Sequence, residues 1–280
     1  MQIFTAEHAG FCEGVERAYK IALDQTKTGH PVYMLGNLVH NTQVIDKFNK
    51  AGIKTAKTVS EIASGPEGII LISAHGVPPQ VYQEAKDKGL GTIDTTCAWV
   101  KKAQKVAESF ANENRLVVIV GDNGHTEVKG LIGWSKGKGV VVENPDGLKK
   151  IDIHADTRVG VLAQTTQSET HFKKIVAAIR KLAKDVKEYD TICGATSKRQ
   201  EAAMDLARKV ELVLVIGDKK SANTKRLTEL CNNIGTETHQ IQTVKELDPA
   251  WLEGKEKIGI TAGASTPDWV IREVIEQLEH

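Results

Sequence analysis

The chain has 280 residues, 40% hydrophobic and 26% charged, with 37 Lys and Arg against 36 Asp and Glu for a net charge of +1. That composition describes a globular chain of about two domains' length that can build its core without staples, and the missing basic excess argues against a nucleic-acid or anionic-membrane binder. Apolar runs such as Leu116–Val120 are too short to span a bilayer, and Met1–His8 lacks a basic-then-apolar signal segment, so a cytoplasmic location is expected; the closing Leu278-Glu279-His280 reads as a tag scar without functional weight.

In chain order, one pattern occurs three times. Cys12 opens a helical stripe of Val15, Ala18, Tyr19 and Ala22. A strand over 31–36 then leads to a loop with His40 and Asn41, and a strand over 68–74 ends at Ser73-Ala74-His75 before a helix near 80–88. A short return strand reaches Cys97, which opens the stripe Val100, Ala103, Val106, Ala107 and Phe110. A strand over 115–121 leads to His125-Thr126-Glu127, a strand over 157–163 ends at Gln164-Thr165, and a helix follows over 169–183. The return through Tyr189-Asp190-Thr191-Ile192 reaches Cys193. Ser197 with Gln200 fits a capping box for a helix carrying Ala203, Leu206, Ala207 and Val210. A strand over 211–217 leads to Ser221-Ala222-Asn223, and a strand over 257–262 ends at Gly263-Ala264-Ser265 before a helix over 268–278.

His40, His125 and Ser221 each stand 28 residues beyond the cysteine of their unit, and Asp94 and Asp190 each stand three residues before a cysteine. This alternation predicts three similar α/β units with mostly parallel sheets, over residues 1–95, 96–191 and 192–280. Ligands of such sheets bind outside the carboxyl ends of the strands, where all these polar residues fall. Packing around a pseudo-threefold axis would bring the three cysteines together.

No C-x-x-C pair occurs among Cys12, Cys97, Cys193 and Cys231, and for any one of them inert burial is the default. Three at equivalent repeat positions are a different matter. Converging thiolates hold zinc or an iron–sulfur cluster; structural zinc needs a fourth protein ligand. A cuboidal cluster on three cysteines keeps one iron open as a Lewis acid. Cys231 shares an apolar face with Leu227 and Ile234 and reads as packing. His40, His75, His125, Ser221, Asn223 and Ser265 form a set of donors for a charged oxygen ligand, each contact worth roughly 1.5–3 kcal/mol, which suits a diphosphate. Glu127, the one carboxylate within these loops, is the natural proton donor. His8, His30, His154, His171 and His239 do not share the repeat positions and are given no role.

These motifs resemble the 4-hydroxy-3-methylbut-2-enyl diphosphate reductase family. The matching stretches run from Gly10-Phe11-Cys12-Glu13-Gly14-Val15 through Val39-His40-Asn41, Ser73-Ala74-His75-Gly76-Val77, Asp94-Thr95-Thr96-Cys97, Gly124-His125-Thr126-Glu127-Val128, Gln164-Thr165-Thr166 and Ile192-Cys193-Gly194-Ala195-Thr196 to Thr261-Ala262-Gly263-Ala264-Ser265. The resemblance implies a trefoil of three α/β domains around one 4Fe–4S cluster with an open iron, ligated by Cys12, Cys97 and Cys193. It implies reductive removal of the substrate's hydroxyl, giving isopentenyl and dimethylallyl diphosphates. Glu127 would lie in the proton path with Thr165 and His125, and His40, His75, His125, Thr165, Ser221, Asn223 and Ser265 would bind substrate. An external donor such as ferredoxin or flavodoxin is implied, acting on a monomer with no nucleic-acid or membrane partner. The chain departs from many relatives at Ala98, Gln104 and Ala222, where Pro, His and Ser are common. Quinolinate synthase, with a similar threefold architecture and a three-cysteine cluster, would have to bind carboxylate substrates, and the His-Thr-Glu and Ser-Ala-Asn-Thr loops fit the reductase better. A non-catalytic iron or zinc sensor is the third reading, which metal analysis separates, since zinc without sulfide would exclude the enzyme.

Overall fold

A computed structural model describes Met1–Glu279; His280 of the supposed tag scar lies outside the described residues. Strand β1 (Gln2–Thr5) precedes α1 (Glu13–Gln25), β2 (Val32–Leu35), α2 (Thr42–Lys50), β3 (Lys54–Ala56), β4 (Ile69–Ile72), α3 (Pro79–Asp87) and β5 (Gly91–Asp94). Next come α4 (Ala98–Asn112), β6 (Leu116–Val120), α5 (Thr126–Trp134), β7 (Gly139–Val142), β8 (Arg158–Ala163), α6 (Glu169–Ile179) and β9 (Asp185–Tyr189). The remainder is α7 (Gly194–Ala207), β10 (Leu212–Ile216), α8 (Ala222–Ile234), β11 (Glu237–Ile241), β12 (Lys257–Ala262) and α9 (Asp268–Glu279).

The strands form three four-stranded sheets, ordered β3-β2-β4-β5, β7-β6-β8-β9 and β11-β10-β12-β1. Every pairing is parallel. This is the expected α/β class, with one change in the first unit. Gln2–Thr5, counted within residues 1–95, pairs with β12, Gln2 opposite Lys257 and Thr5 opposite Ile260. The reason is topological. β5 and β9 are the edge strands that lead into Cys97 and Cys193, and β1 holds the same edge and leads into Cys12. Edge strands β3, β7 and β11 and their pairings were also not anticipated.

The chain divides into two compact units. One comprises Met1–Glu16, His40–Val44 and the residues from Gly194 onward. Its sheet is buried on both faces, which explains the unbroken apolar run of β10. Leu212, Leu214, Ile216, Ile258 and Ile260 pack on Val270, Val274 and Leu278 of α9. Val213 and Val215 face Ala203 and Ala207 of α7 and Leu227 and Cys231 of α8.

The other unit, Arg17–Val39 with Ile45–Cys193, holds the other two sheets. In one of them Val118, Val120, Val159 and Val161 pack on Phe172, Ile175 and Ile179 of α6. Val117, Ile119 and Leu162 face Ala103, Ala107 and Phe110 of α4 and Val128 and Leu131 of α5. In the other, Ile70 and Ile72 pack with Val77, Ala85 and Leu90. Helix α6 stops at Ile179, four residues short of the expected Ala183.

Gly160 lies in β8 because a Cβ there would meet the Phe110 ring at 2.5 Å. Gly160→Ala is therefore expected to lower stability by about 1–3 kcal/mol through overpacking. Phe110→Ala removes the ring atoms at 2.5 and 2.6 Å, so the double variant should lose less than the sum of the two single losses. Denaturant unfolding of the single and double variants reads both effects.

Candidate functional site

In each sheet the central strand pair β2/β4, β6/β8 or β10/β12 is where the strand order reverses, the place at which open parallel sheets bind ligands. His40, His125 and Ser221 all lie five residues beyond the first strand of the pair. Their loops cap the next helix. His125 is the N-cap of α5, Ser221 caps α8, and Asn41 beside His40 accepts from Val44 N at 3.0 Å at the start of α2. The second strand of each pair ends three residues before His75, Thr166 and Ser265.

Each cysteine immediately precedes a helix: Cys12 before α1, Cys97 before α4 and Cys193 before α7. The expected capping box at Ser197 and Gln200 does not form, because α7 starts at Gly194 and carries Ser197 inside it. The cysteine backbone opens the helix instead. The N–H of Cys12, Cys97 and Cys193 donates to the carbonyls of Ala264, Ala74 and Thr165 at 3.1, 3.0 and 3.0 Å. Each acceptor lies two residues past the end of β12, β4 or β8. All three thiols are half-buried, and none of the four cysteines is in a disulfide. A helix N-terminus favours thiolate. Cys231 differs: it is fully buried, its thiol donates to Ala203 O at 3.7 Å, and burial pushes it up to about 11.

The approaches to Cys97 and Cys193 match in detail. Asp94 accepts from Thr96 N at 2.9 Å and Asp190 from Ile192 N at 2.8 Å. Thr95 Oγ1 donates to Ile72 O, and Thr191 Oγ1 donates to Ala163 O. The approach to Cys12 uses Gly10 at φ 96°, whose carbonyl accepts from the buried Arg199 at 2.7 Å. Thr95, Thr191 and Arg199 were not singled out from sequence, although each threonine sits two residues before its cysteine.

Glu127 is 1% exposed at the start of α5. Thr165 clasps it from the end of β8, its N–H donating to Oε1 at 2.6 Å and its Oγ1 donating to Oε2 at 2.9 Å. Burial outweighs these two bonds and raises the carboxyl to about 7. The Glu127 N–H donates to His125 Nδ1 at 3.1 Å. That bond assigns the neutral His125 ring the Nε2–H tautomer. The His125 and His75 rings meet edge to face at 5.5 Å. Glu127, Thr165, His125 and His75 are thus brought together, and Thr165 O is also the acceptor for Cys193 N.

In the other unit, burial lowers His40 below the ordinary histidine value. The His40 carbonyl accepts from Ser265 Oγ at 2.8 Å, so the Ser265 proton is already committed. Ser221 Oγ accepts from Thr224 N at 3.3 Å, which leaves its own O–H to donate. Asn223 is 4% exposed, and among the described residues neither Oδ1 nor Nδ2 has a partner. A buried amide with both ends unsatisfied costs several kcal/mol at the upper end unless a ligand meets it.

The arrangement defines a class: an α/β protein of three parallel sheets with thiols at helix N-termini and polar donor side chains at the strand ends. The chain belongs to the LytB protein family, which it matches over residues 3–279. It is 42% identical over 279 residues to the 4-hydroxy-3-methylbut-2-enyl diphosphate reductase of Geotalea uraniireducens, covering 100% of this chain and 97% of that one. The enzyme of the same name from Aquifex aeolicus is 40% identical over 283 residues, with 100% and 96% covered. Among solved structures, the E-1-hydroxy-2-methyl-but-2-enyl-4-diphosphate reductase of Plasmodium falciparum superposes with a TM-score of 0.93 at 29% identity, covering 99% of this chain and 88% of that one. A second reductase, described as the terminal enzyme of the non-mevalonate pathway, gives a TM-score of 0.71 at 39% identity, with 100% and 99% covered.

The raised Glu127 carboxyl has a consequence for folding. Its folded value of about 7 exceeds the ordinary 4.5, so between those values the folded chain holds a proton that the unfolded chain has lost. Stability contributed by this group is present below about pH 4.5 and is lost as pH rises through about 7. Relative to Glu127→Gln, the wild-type chain should lose on the order of 3 kcal/mol across that window. Denaturant unfolding of both at pH 4.5 and 7.5 measures it, and a constant difference would place the carboxyl in a wetter site.

Proposed function

We propose that this chain is a 4-hydroxy-3-methylbut-2-enyl diphosphate reductase that carries one 4Fe–4S cluster on Cys12, Cys97 and Cys193 and forms isopentenyl and dimethylallyl diphosphates. The observation that carries this reading is the shared setting of the three thiols, each half-buried, at a helix N-terminus and fixed by the same amide bond. These residues fit an anionic cluster, since helix N-termini favour negative charge and Cys231 is chemically set apart by burial. When bound, such a cluster supplies electrons one at a time and a Lewis-acidic iron that no cysteine holds.

The reaction breaks one C–O bond, consumes two electrons and two protons, and releases water. The chain's own groups bind the diphosphate and manage protons. Ser221 can donate its O–H, Asn223 its unsatisfied Nδ2, and the first N–H groups of α8 add a positive dipole end. Thr166, half-buried and at the same step beyond its strand as His75 and Ser265, adds a hydroxyl that the repeat pattern could have flagged. Ser265 works through His40, whose carbonyl it holds. His125 presents Nε2–H because its Nδ1 is occupied, so it binds as a neutral donor.

Glu127 delivers a proton to the departing hydroxyl. A carboxyl at about 7 is protonated in a large share of molecules near neutrality and still gives up its proton readily. Thr165 keeps both carboxylate oxygens oriented. A chain with no disulfide among the described residues suits a reducing compartment, which supports the cytoplasm. Among the described residues no helix is long and apolar enough to cross a membrane.

Anaerobic reconstitution tests the reading. Iron and acid-labile sulfide are expected at a cluster per chain, lost in Cys12→Ser, Cys97→Ser and Cys193→Ser and kept in Cys231→Ser. With viologen as donor, substrate should yield both product diphosphates; bound zinc without sulfide would overturn the assignment. Glu127→Gln should retain the cluster and bind substrate but turn over about 10²–10⁴-fold more slowly, as for loss of a general acid. Thr165→Val removes a bond that lowers the Glu127 value, so the alkaline limb of the pH–rate profile should move upward.

A further inference from the structure

Trp99 and Tyr189 are among the largest exposed apolar side chains, 39% and 42% exposed. They are not scattered. Lys102 Nζ lies 5.3 Å from the Trp99 ring centroid and 5.1 Å from that of Tyr189, so one cation joins both rings into a single patch. Trp99 is two residues past Cys97, and Tyr189 is four residues before Cys193. All three patch residues belong to one compact unit.

On its α4 side the patch is basic; on the other side exposed Glu188 and Asp190 flank Tyr189, with Asp190 accepting from Ile192 N at 2.8 Å. The first turns of α4 carry Lys101, Lys102 and Lys105 and no carboxylate before Glu108. Cations there oppose the helix dipole and cost the helix stability, so helix formation does not explain them. Lys101 is paired with Asp94 at 2.7 Å. Glu188 is taken by Arg180 at 3.0 Å. Exposed Lys102 and Lys105 have no carboxylate at ion-pair distance among the described residues. Trp and Tyr in a basic rim are the residues that carry binding energy at protein interfaces.

We propose that Trp99, Lys102 and Tyr189, with Lys105 at the rim, form the docking surface for an acidic one-electron carrier protein. The inference rests on the reductase reading, which requires two electrons per turnover from outside the substrate. Each docking event oxidises one reduced carrier by one electron. Two such events, with two protons, supply the cleavage of the C–O bond and the loss of water. The patch flanks two of the three proposed cluster cysteines along the chain, and its charge complements an acidic partner. Redox encounters of this kind use small interfaces steered by charge.

The test compares reduced flavodoxin with reduced methyl viologen as donor to the cluster-loaded enzyme. Trp99→Ala, Lys102→Glu and Lys105→Glu should each raise the KM for flavodoxin about tenfold or more. Their viologen-driven rates and cluster spectra should match wild type. Raising salt from about 20 to 200 mM should weaken flavodoxin turnover in wild type and much less in Lys102→Glu, since exposed charges are screened over such a range. Flavodoxin KM within twofold of wild type in all three variants would overturn the proposal. Calorimetric titration with oxidised flavodoxin reads docking without turnover: equal affinity in wild type and variants, or no binding to wild type, also overturns it. Failure of wild type with viologen would instead count against the reductase reading, while the titration still decides the surface.

Discussion

One backbone hydrogen bond, made three times, organises this molecule. The N–H of Cys12, Cys97 or Cys193 reaches a carbonyl two residues beyond the end of a central parallel strand. It ties a helix N-terminus to a strand C-terminus, the two ends at which a parallel α/β layer offers unpaired backbone groups. The residue after the acceptor is then fixed beside the cysteine's helix. In the three sheets that residue is Ser265, His75 or Thr166. The thiol and a polar side chain at the strand end are therefore set by the same turn. A site built in this way is a property of strand ends, and its chemistry varies by single substitutions that leave the sheets unchanged.

The three turns are not held by identical means. Before Cys97 and Cys193, a threonine hydroxyl staples the approach to the central strand and an aspartate caps the following N–H. The aspartate bonds are local, while the threonine bonds span 23 and 28 residues within one unit of the repeat. Before Cys12 a glycine takes the left-handed conformation and the guanidinium of Arg199 reaches back from α7 to its carbonyl. The arginine brings a buried positive charge to the Cys12 approach, where the other two approaches use a hydroxyl and a carboxylate. A β-carbon on Gly10 would also crowd Asp268 Oδ1 and Ile271 at 3.1 and 3.2 Å. The N-terminal approach is thus fixed by residues far away in sequence, as its edge strand is.

That difference explains what was legible beforehand. The helices and the central strands announced themselves, because apolar periodicity and a constant 28-residue offset are local signals. So did Cys12, Cys97, Cys193, Glu127 and Thr165 as members of one pattern, and the structure brings the last two into direct contact. Strand β3 is three residues long and β11 reads Glu-Thr-His-Gln-Ile, so neither carries an apolar signature; edge position lets them be polar. The pairing of β1 with β12 spans nearly the whole chain and has no local trace. The Ser197–Gln200 pattern misled because a cysteine and its amide bond start the helix four residues earlier, overriding the better capping sequence. Ser265 stood out in the repeat pattern, but that its proton goes to His40 O required the tertiary contact.

The pairing of Glu127 with Thr165 also sets which oxygen can carry the proton. Oε1 accepts from a backbone N–H, which can only donate, at 2.6 Å. Protonating Oε1 would set two hydrogens against each other or break that bond. Oε2 faces the Thr165 hydroxyl at 2.9 Å, and a hydroxyl donates or accepts by rotating about one bond. When Glu127 is ionised the hydroxyl donates to Oε2; when Glu127 is protonated on Oε2 the hydroxyl can turn and accept. The amide N–H holds the carboxyl in place through both states, and the hydroxyl follows the proton. Serine at position 165 would preserve both functions, whereas valine would keep the amide anchor and remove the adaptable partner. Burial keeps the two states close in energy near neutral pH, since desolvation opposes the charge that both Thr165 bonds favour. The proton-donor role proposed for Glu127 needs that balance, and here burial and one threonine supply it.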